Sequence, residues 1–157
     1  MCKLNIIVAI TNFTCIFPIY ISIKNKDNIT VFALIFVSFF SIISHLLENH
    51  KHGMTGIFDT SKEISYILNR LDVLGSIIII LRLAKLYYNK YNISANIIKS
   101  NSVKFILMLL PILFNIISEY DKYNIKLRLF YVITHSIWHL YVFSSIYYFL
   151  NHFIYAI

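Results

Sequence analysis

Charge is scarce in this 157-residue sequence: Asp, Glu, Lys and Arg together make up 13%, against 59% hydrophobic residues and a mean hydropathy of +0.71. A water-soluble domain of this size needs far more polar surface, so that class is disfavoured from the outset. Cysteine is nearly absent as well. Cys2 and Cys15 both lie near the N-terminus, which excludes a disulfide framework and a zinc-ribbon spacing. Internal repeats and low-complexity tails are missing, so residues 1–157 read as a single domain. Acidic residues number seven against fourteen Lys and Arg, a formal net charge of +7. This basic excess does not point to nucleic acid. It sits mostly in short segments between apolar runs, where membrane lipids, and anionic headgroups in particular, are the natural partner.

What the sequence does have is long apolar runs, each able to cross a hydrocarbon layer of about 30 Å at about 1.5 Å per residue. Five are read as transmembrane helices: about 4–23, 29–47, 64–88, 103–118 and 129–150. Asn5, Thr11, Asn12 and Thr14 make the first only moderately hydrophobic. A cleaved signal peptide competes with it, but the length and the lack of a small-residue cleavage site favour a retained span. Between the second and third spans, Gly53 and Gly56 mark an exposed connection, and His50, His52 and, near the chain end, His152 read as solvated. Pro111 inside the fourth span is tolerable where neighbouring helices satisfy the freed carbonyl. In the third, Arg82 and Lys85 are placed to snorkel to the far interface, and the fifth carries many rings, Tyr131, Trp138, Tyr141, Tyr147 and Tyr148, some of which should lie at interfaces. Lys and Arg are balanced between the two sides, seven (Lys3, Lys51, Lys62, Arg70, Lys122, Lys126, Arg128) against seven (Lys24, Lys26, Arg82, Lys85, Lys90, Lys99, Lys104), so they give no orientation. The expected fold is an all-α, multi-pass integral membrane bundle.

Inside these runs a few polar side chains stand out, because an ionisable group at the centre of a membrane helix costs about 3 kcal/mol even on the mildest scale. They are Ser41 and His45 on the second run, Asp72 on the third, and His135 and His139 on the fifth. The spacing of four within each pair puts both members on one helix face. Since alternate helices run in opposite directions, all five fall roughly 5–15 Å from the same end of the bundle at helical rise. Three imidazoles with an open fourth position are the ligand set of catalytic zinc. A carboxylate such as Asp72 beside a zinc-bound water can orient it and take its proton, and the Ser41 hydroxyl can bond the water or a developing oxyanion. Such a centre suits hydrolysis of a lipid amide or ester. Other readings are open: each histidine as a hydrogen-bonded packing residue, Asp72 paired with Arg70 or with a histidine, or two of the histidines ligating haem.

The motifs Ser41-Ile-Ile-Ser-His45, Leu71-Asp72-Val-Leu-Gly75-Ser76 and His135-Ser-Ile-Trp-His139 resemble the SxxxH, D and HxxxH signature of the CREST superfamily of membrane hydrolases. That group includes alkaline ceramidases and adiponectin-type receptors. The Asp-x-Leu-Gly-Ser and His-Ser-x-aromatic-His strings look most like its transmembrane protein 8 and myomaker group, as does the N-terminal layout with Phe17-Pro18, a short basic link and an aromatic second span. The resemblance covers about two thirds of the chain. It implies Zn2+ held by His45, His135 and His139, with Asp72 and Ser41 around the metal-bound water and a ceramide-like or phospholipid-like substrate. The chain departs from the pattern in having two spans fewer than the usual seven. Losing two helices keeps the direction of the last one, so the metal site is expected to survive, whereas the substrate pocket is altered. A non-catalytic protein with a structural zinc site, acting in membrane remodelling or through lipid or protein contacts, is the alternative.

Overall fold

The computed structural model describes residues 4–58, 60–91 and 102–156, with the side chains of 102–105 and 109 outside the description. Five helical segments follow one another: α1 (Leu4–Lys24), α2 (Asn28–Leu46), α3 (Lys62–Tyr91), α4 (Ser102–Ser118) and α5 (Arg128–Phe149). All lie within a few residues of the expected runs, and no strand occurs among the described residues. Together with its flanking turns (Ile125–Ile154), α5 joins α1, α2 and α3 as four helices long and apolar enough to cross a membrane. The fourth expected span is shorter: α4 has 17 residues, about 26 Å at helical rise. Of the sequence features above, Cys2, Lys3, Asn101, most of the link 90–101 with Lys99, and the side chain of Lys104 lie outside the described residues.

Local chemistry explains where these helices bend and stop. In α1 the hydroxyls of Thr11 and Thr14 bond back to Val8 O (2.6 Å) and Thr11 O (2.8 Å), and the chain tightens into a 3-10 turn over Asn12–Cys15. Asp27 caps α2 by accepting from Thr30 N at 3.1 Å and Thr30 Oγ1 at 2.6 Å. The same carboxylate takes Arg82 Nη2 of α3 at 2.7 Å and the Tyr155 hydroxyl at 2.9 Å, which ties three parts of the chain together at one end of the bundle. Arg82 thus reaches that end as expected, to meet a partly buried partner, Asp27.

The closest approach between α2 and α3 is at Gly75, where an added Cβ would sit 2.9 Å from Val37 Cα. This contact sets the height of Asp72, one turn earlier on α3, against His45 on α2. An apolar cluster including Leu34, Val37, Ile79, Phe143, Phe149 and Leu150 fills the bundle toward the Asp27 end, and a smaller one of Val8, Met54, Tyr131 and Val132 lies toward the other. Outward faces are apolar too: Phe13 and Tyr20 on α1, Phe32 and Phe39 on α2, Ile80 and Leu81 on α3 and Ile133 on α5 are all exposed.

The connection after α2 departs from expectation. It folds inward, with Glu48, Lys51, His52 and Met54 all buried. Arg128 holds it by donating to His52 O (2.9 Å) and Gly53 O (2.6 Å), and Asn5 by donating to His45 O (2.8 Å) and Glu48 O (3.0 Å). A segment rich in glycine and charge is read as exposed on composition alone; here its charges find partners inside. His52 is therefore buried and not solvated. Tyr131, one of the rings of the fifth run, is completely buried, and its hydroxyl donates to Glu48 Oε2 at 2.6 Å.

Two outcomes follow. Gly75→Ala should force α2 and α3 apart and cost about 1–3 kcal/mol, read as a lower unfolding temperature in detergent, with Ser76→Ala as the neighbouring control. Burial raises the Asp27 carboxyl, but Thr30, Tyr155 and Arg82 outweigh it and bring it below the usual carboxylate range. A depressed carboxyl contributes stability above its unfolded value that is lost as pH falls through its folded value. Asp27→Asn should therefore flatten the loss of stability seen on acidification below about pH 4.

Candidate metal centre

Two helices and their neighbours bring three imidazoles to one point. His45 is the penultimate residue of α2, and His135 and His139 sit one turn apart on α5. Ring centroids are 4.7 Å (His45–His135), 4.9 Å (His45–His139) and 4.8 Å (His135–His139) apart, all edge to face. One ring nitrogen from each lies within 4.8 Å of the others, and all three side chains are buried. Touching rings leave no slot for a haem plane.

The hydrogen bonds around the rings say which nitrogen faces in. Ser118 Oγ, at the end of α4, spends its hydrogen on Asn115 O (2.7 Å), so toward His135 Nδ1 at 2.9 Å it can only accept. His135 then carries its proton on Nδ1 and has its Nε2 lone pair free. Thr11 acts alike: its hydrogen goes to Val8 O at 2.6 Å, so it accepts from His139 Nδ1 at 2.9 Å, with Val8 O a further acceptor at 3.3 Å and the Asn12 amide 3.2 Å away. Ser41 Oγ lies 3.4 Å from His139 Nε2. His45 Nδ1 faces Glu48 Oε2 at 3.4 Å.

The inward atoms are short of partners. His45 Nε2, His135 Nε2 and Asp72 Oδ1 are buried with no hydrogen bond among the described residues. Leaving such groups unpaired costs about 1–3 kcal/mol each, so three at one place mark a binding point. Asp72 Oδ2 is 3.9 Å from His45 Nε2, beyond hydrogen-bond reach, while Arg70 packs over the Tyr66 ring at 4.7 Å. Asp72 therefore faces the histidine site, and the alternative pairing with Arg70 is set aside.

Three buried histidines of this kind can form a metal site. Nitrogen donors of a tetrahedral zinc lie roughly 3.3 Å apart, so closing the set on an ion takes shifts of about an ångström. Glu48, Lys51 and Glu119 supply the charge beside it: Lys51 Nζ is 2.6 Å from Glu119 Oε1 and 3.5 Å from Glu48 Oε1. Burial alone would raise the Glu48 carboxyl, but Lys51, His45 and Tyr131 outweigh it and hold it at about 2. Burial would lower the Lys51 ammonium, and the two carboxylates push it above its ordinary value.

From the site a cavity of about 830 Å³ extends between α3, α4 and α5. Ser41, Asp72, Lys51, Glu119, His135 and His139 form its polar end, and Ile80, Leu83, Met108, Val142 and Phe149 line the rest. Among the described residues α3 packs on α2 and α4 on α5, with no extensive contact between α3 and α4.

All five expected site residues thus meet: His45, His135, His139, Asp72 and Ser41. Sequence reading missed Thr11, Asn12, Ser118, Tyr131 and Glu48. Asn5 and Asn12 did carry a signal, seven residues and about two turns apart on one face, at the right depth to meet the histidines.

Over 151 residues the chain is 46% identical to "Uncharacterized protein L282" of Acanthamoeba polyphaga mimivirus, covering 96% of this chain and 99% of that protein. No protein-family model matches the chain, and no solved structure matches it.

Detergent-purified protein should carry or take up about one equivalent of a divalent transition metal, measured by elemental analysis. His45→Ala, His135→Ala and His139→Ala should each abolish it. Metal at about 100 times its dissociation constant should add about 2.7 kcal/mol of stability.

Proposed function

Because the chain belongs to the same family as that mimivirus protein, whose name states no activity, we propose a function from the site itself: a zinc-dependent hydrolase of lipid amide or ester bonds, integral to a membrane. One observation carries it. His135, His139 and Asp72 line the polar end of a mostly apolar cavity, the His45 ring packs against both histidines, and His45 Nε2, His135 Nε2 and Asp72 Oδ1 have no hydrogen bond among the described residues. Neutral imidazoles suit zinc, and three of them leave a coordination position open for chemistry. When bound, zinc supplies a Lewis acid and acidifies a water for attack.

The chain's own residues take the remaining roles. Asp72, whose Oδ1 has no hydrogen bond among the described residues, accepts the proton of the attacking water and passes it to the leaving group. Ser41, at 3.4 Å from His139 Nε2, donates to the carbonyl oxygen as negative charge develops there. The cavity takes the acyl part of the substrate. Its volume of 830 Å³ is that of a small-molecule site. From His135 to Phe149 it follows α5 for about 21 Å at helical rise, longer than the roughly 15 Å depth of one leaflet.

Membrane insertion is supported by four helices of spanning length and by the exposed aromatic and aliphatic faces around the bundle, a surface suited to lipid and not to water. The count of five spans takes α4 as a short span that completes the bundle. Membership of the CREST superfamily rests on the sequence motifs, and the meeting of the motif residues supports it. A second reading is a structural zinc clasp without catalysis, favoured by the way the histidines link the end of α2 to α5.

Turnover of a panel of fluorogenic ceramides and phospholipids by the metal-loaded protein separates the two. A hydrolase should lose at least about 100-fold in rate in Asp72→Asn while keeping its metal, and lose both in His139→Ala. A metal-bearing parent that cleaves no amide or ester in the panel would establish the clasp.

A further inference from the structure

A histidine ligates a metal through one ring nitrogen, and the partner of the other nitrogen fixes its tautomer and aim. Two of the three histidines have neutral partners, hydroxyl oxygens of Ser118 and Thr11 at 2.9 Å. His45 alone has a carboxylate, Glu48 Oε2 at 3.4 Å, and that carboxylate is completely inaccessible. Burying a carboxylate is expensive, and truncating a buried charge network is worse than never building it. Here three groups hold it in place. The Tyr131 hydroxyl donates to the same Oε2 at 2.6 Å, Lys51 Nζ sits 3.5 Å from Oε1, and Asn5 fixes the backbone by donating to Glu48 O at 3.0 Å. Lys51 is itself pinned by Glu119 at 2.6 Å, so the network runs from α1, through the connection after α2, to the end of α4.

We propose that Glu48 is the positioning residue of the metal centre: its carboxylate accepts the Nδ1 proton of His45 and aims Nε2 at the point shared with His135 and His139. Glu48 does not touch the ion or the substrate. The three-residue separation of His45 and Glu48 spans the end of α2, so the carboxylate comes from the first residues past the helix, where the chain turns back over the site. The inward fold of that connection then has a use, since it delivers Glu48 and Lys51 under cover of Tyr131. The 3.4 Å separation is long for a hydrogen bond and should contract when His45 turns onto a metal.

This assignment rests on the metal reading of the site, and two measurements separate their failures. In metal-free protein, ring-nitrogen correlation spectra should show His45 protonated on Nδ1, a preference lost in Glu48→Ala and kept in Asp27→Asn, which breaks the partly buried ion pair at the other end of the bundle. In zinc competition against a chromogenic chelator, Glu48→Ala should weaken binding 10- to 100-fold, Glu48→Gln less because it retains an acceptor oxygen, and Tyr131→Phe less again. Asp27→Asn should bind zinc like the parent. If Glu48→Ala fails to fold, Glu48→Gln and Tyr131→Phe carry the test through the cobalt absorption spectrum, which should change in both and not in Asp27→Asn. Glu48 variants that bind zinc as tightly as the parent, with an unaltered cobalt spectrum, would overturn the assignment alone, as would His45 protonated on Nε2 in the parent. A parent that binds no zinc overturns the metal reading and this assignment with it.

Discussion

An imidazole nitrogen buried among hydrocarbon side chains has no water to turn to, and the architecture at one end of this bundle answers that constraint. Three histidines meet there, and each outer nitrogen is met by a different part of the chain: Thr11 of α1, Ser118 of α4 and Glu48 just past α2. In the two hydroxyl cases the partner has already given its own hydrogen to a backbone carbonyl one turn earlier. For His135 that order of donation leaves only one tautomer, while at His139 the acceptors Thr11 Oγ1 and Val8 O share Nδ1 with the Asn12 amide nitrogen at 3.2 Å. The lone pairs then point inward together, a costly arrangement unless something shared sits between them.

The opposite end is built for cohesion. Asp27 caps α2, pairs with Arg82 and accepts from Tyr155, so the link after α1, the middle of α3 and the tail of α5 are held by one carboxylate. Between the ends, α3 stays close to α2 because Gly75 lets the backbones meet at Val37. Leaning that way, α3 leaves space on its other side. The cavity against α4 and α5 follows from this packing, and Asp72 is carried to its rim by the same contact.

The helices were legible because apolar run length is a strong, local signal: every expected run ended within three residues of the observed helix. The histidines and Asp72 were legible because they are anomalies against that background. What surrounded them was not. Ser118 and Thr11 are ordinary residues in a packed helix, and nothing in their spacing reveals which carbonyl receives their hydrogen. Tyr131 is one ring among many on the fifth run, and its partner, Glu48, is 83 residues away in the chain. The connection after α2 was misread for a related reason: charge and glycine signal exposure only where the charges lack partners. Lys51 has two, and neither is visible from its own neighbourhood.

The proposed hydrolase reading requires lipid to enter from one side and water from another, and both demands bear on the gap between α3 and α4. Along most of its length the cavity wall is apolar, which favours an acyl chain and disfavours water. At its histidine end the lining changes to Ser41, Asp72, Lys51 and Glu119, and Glu119 is 36% exposed at the side chain. The Lys51–Glu119 pair therefore links the surface of the bundle to the site. A bundle needing only a clasp would gain nothing from a polar entrance joined to an apolar slot of this length. Their meeting beside the histidines is the feature on which the proposed hydrolase and the clasp reading differ.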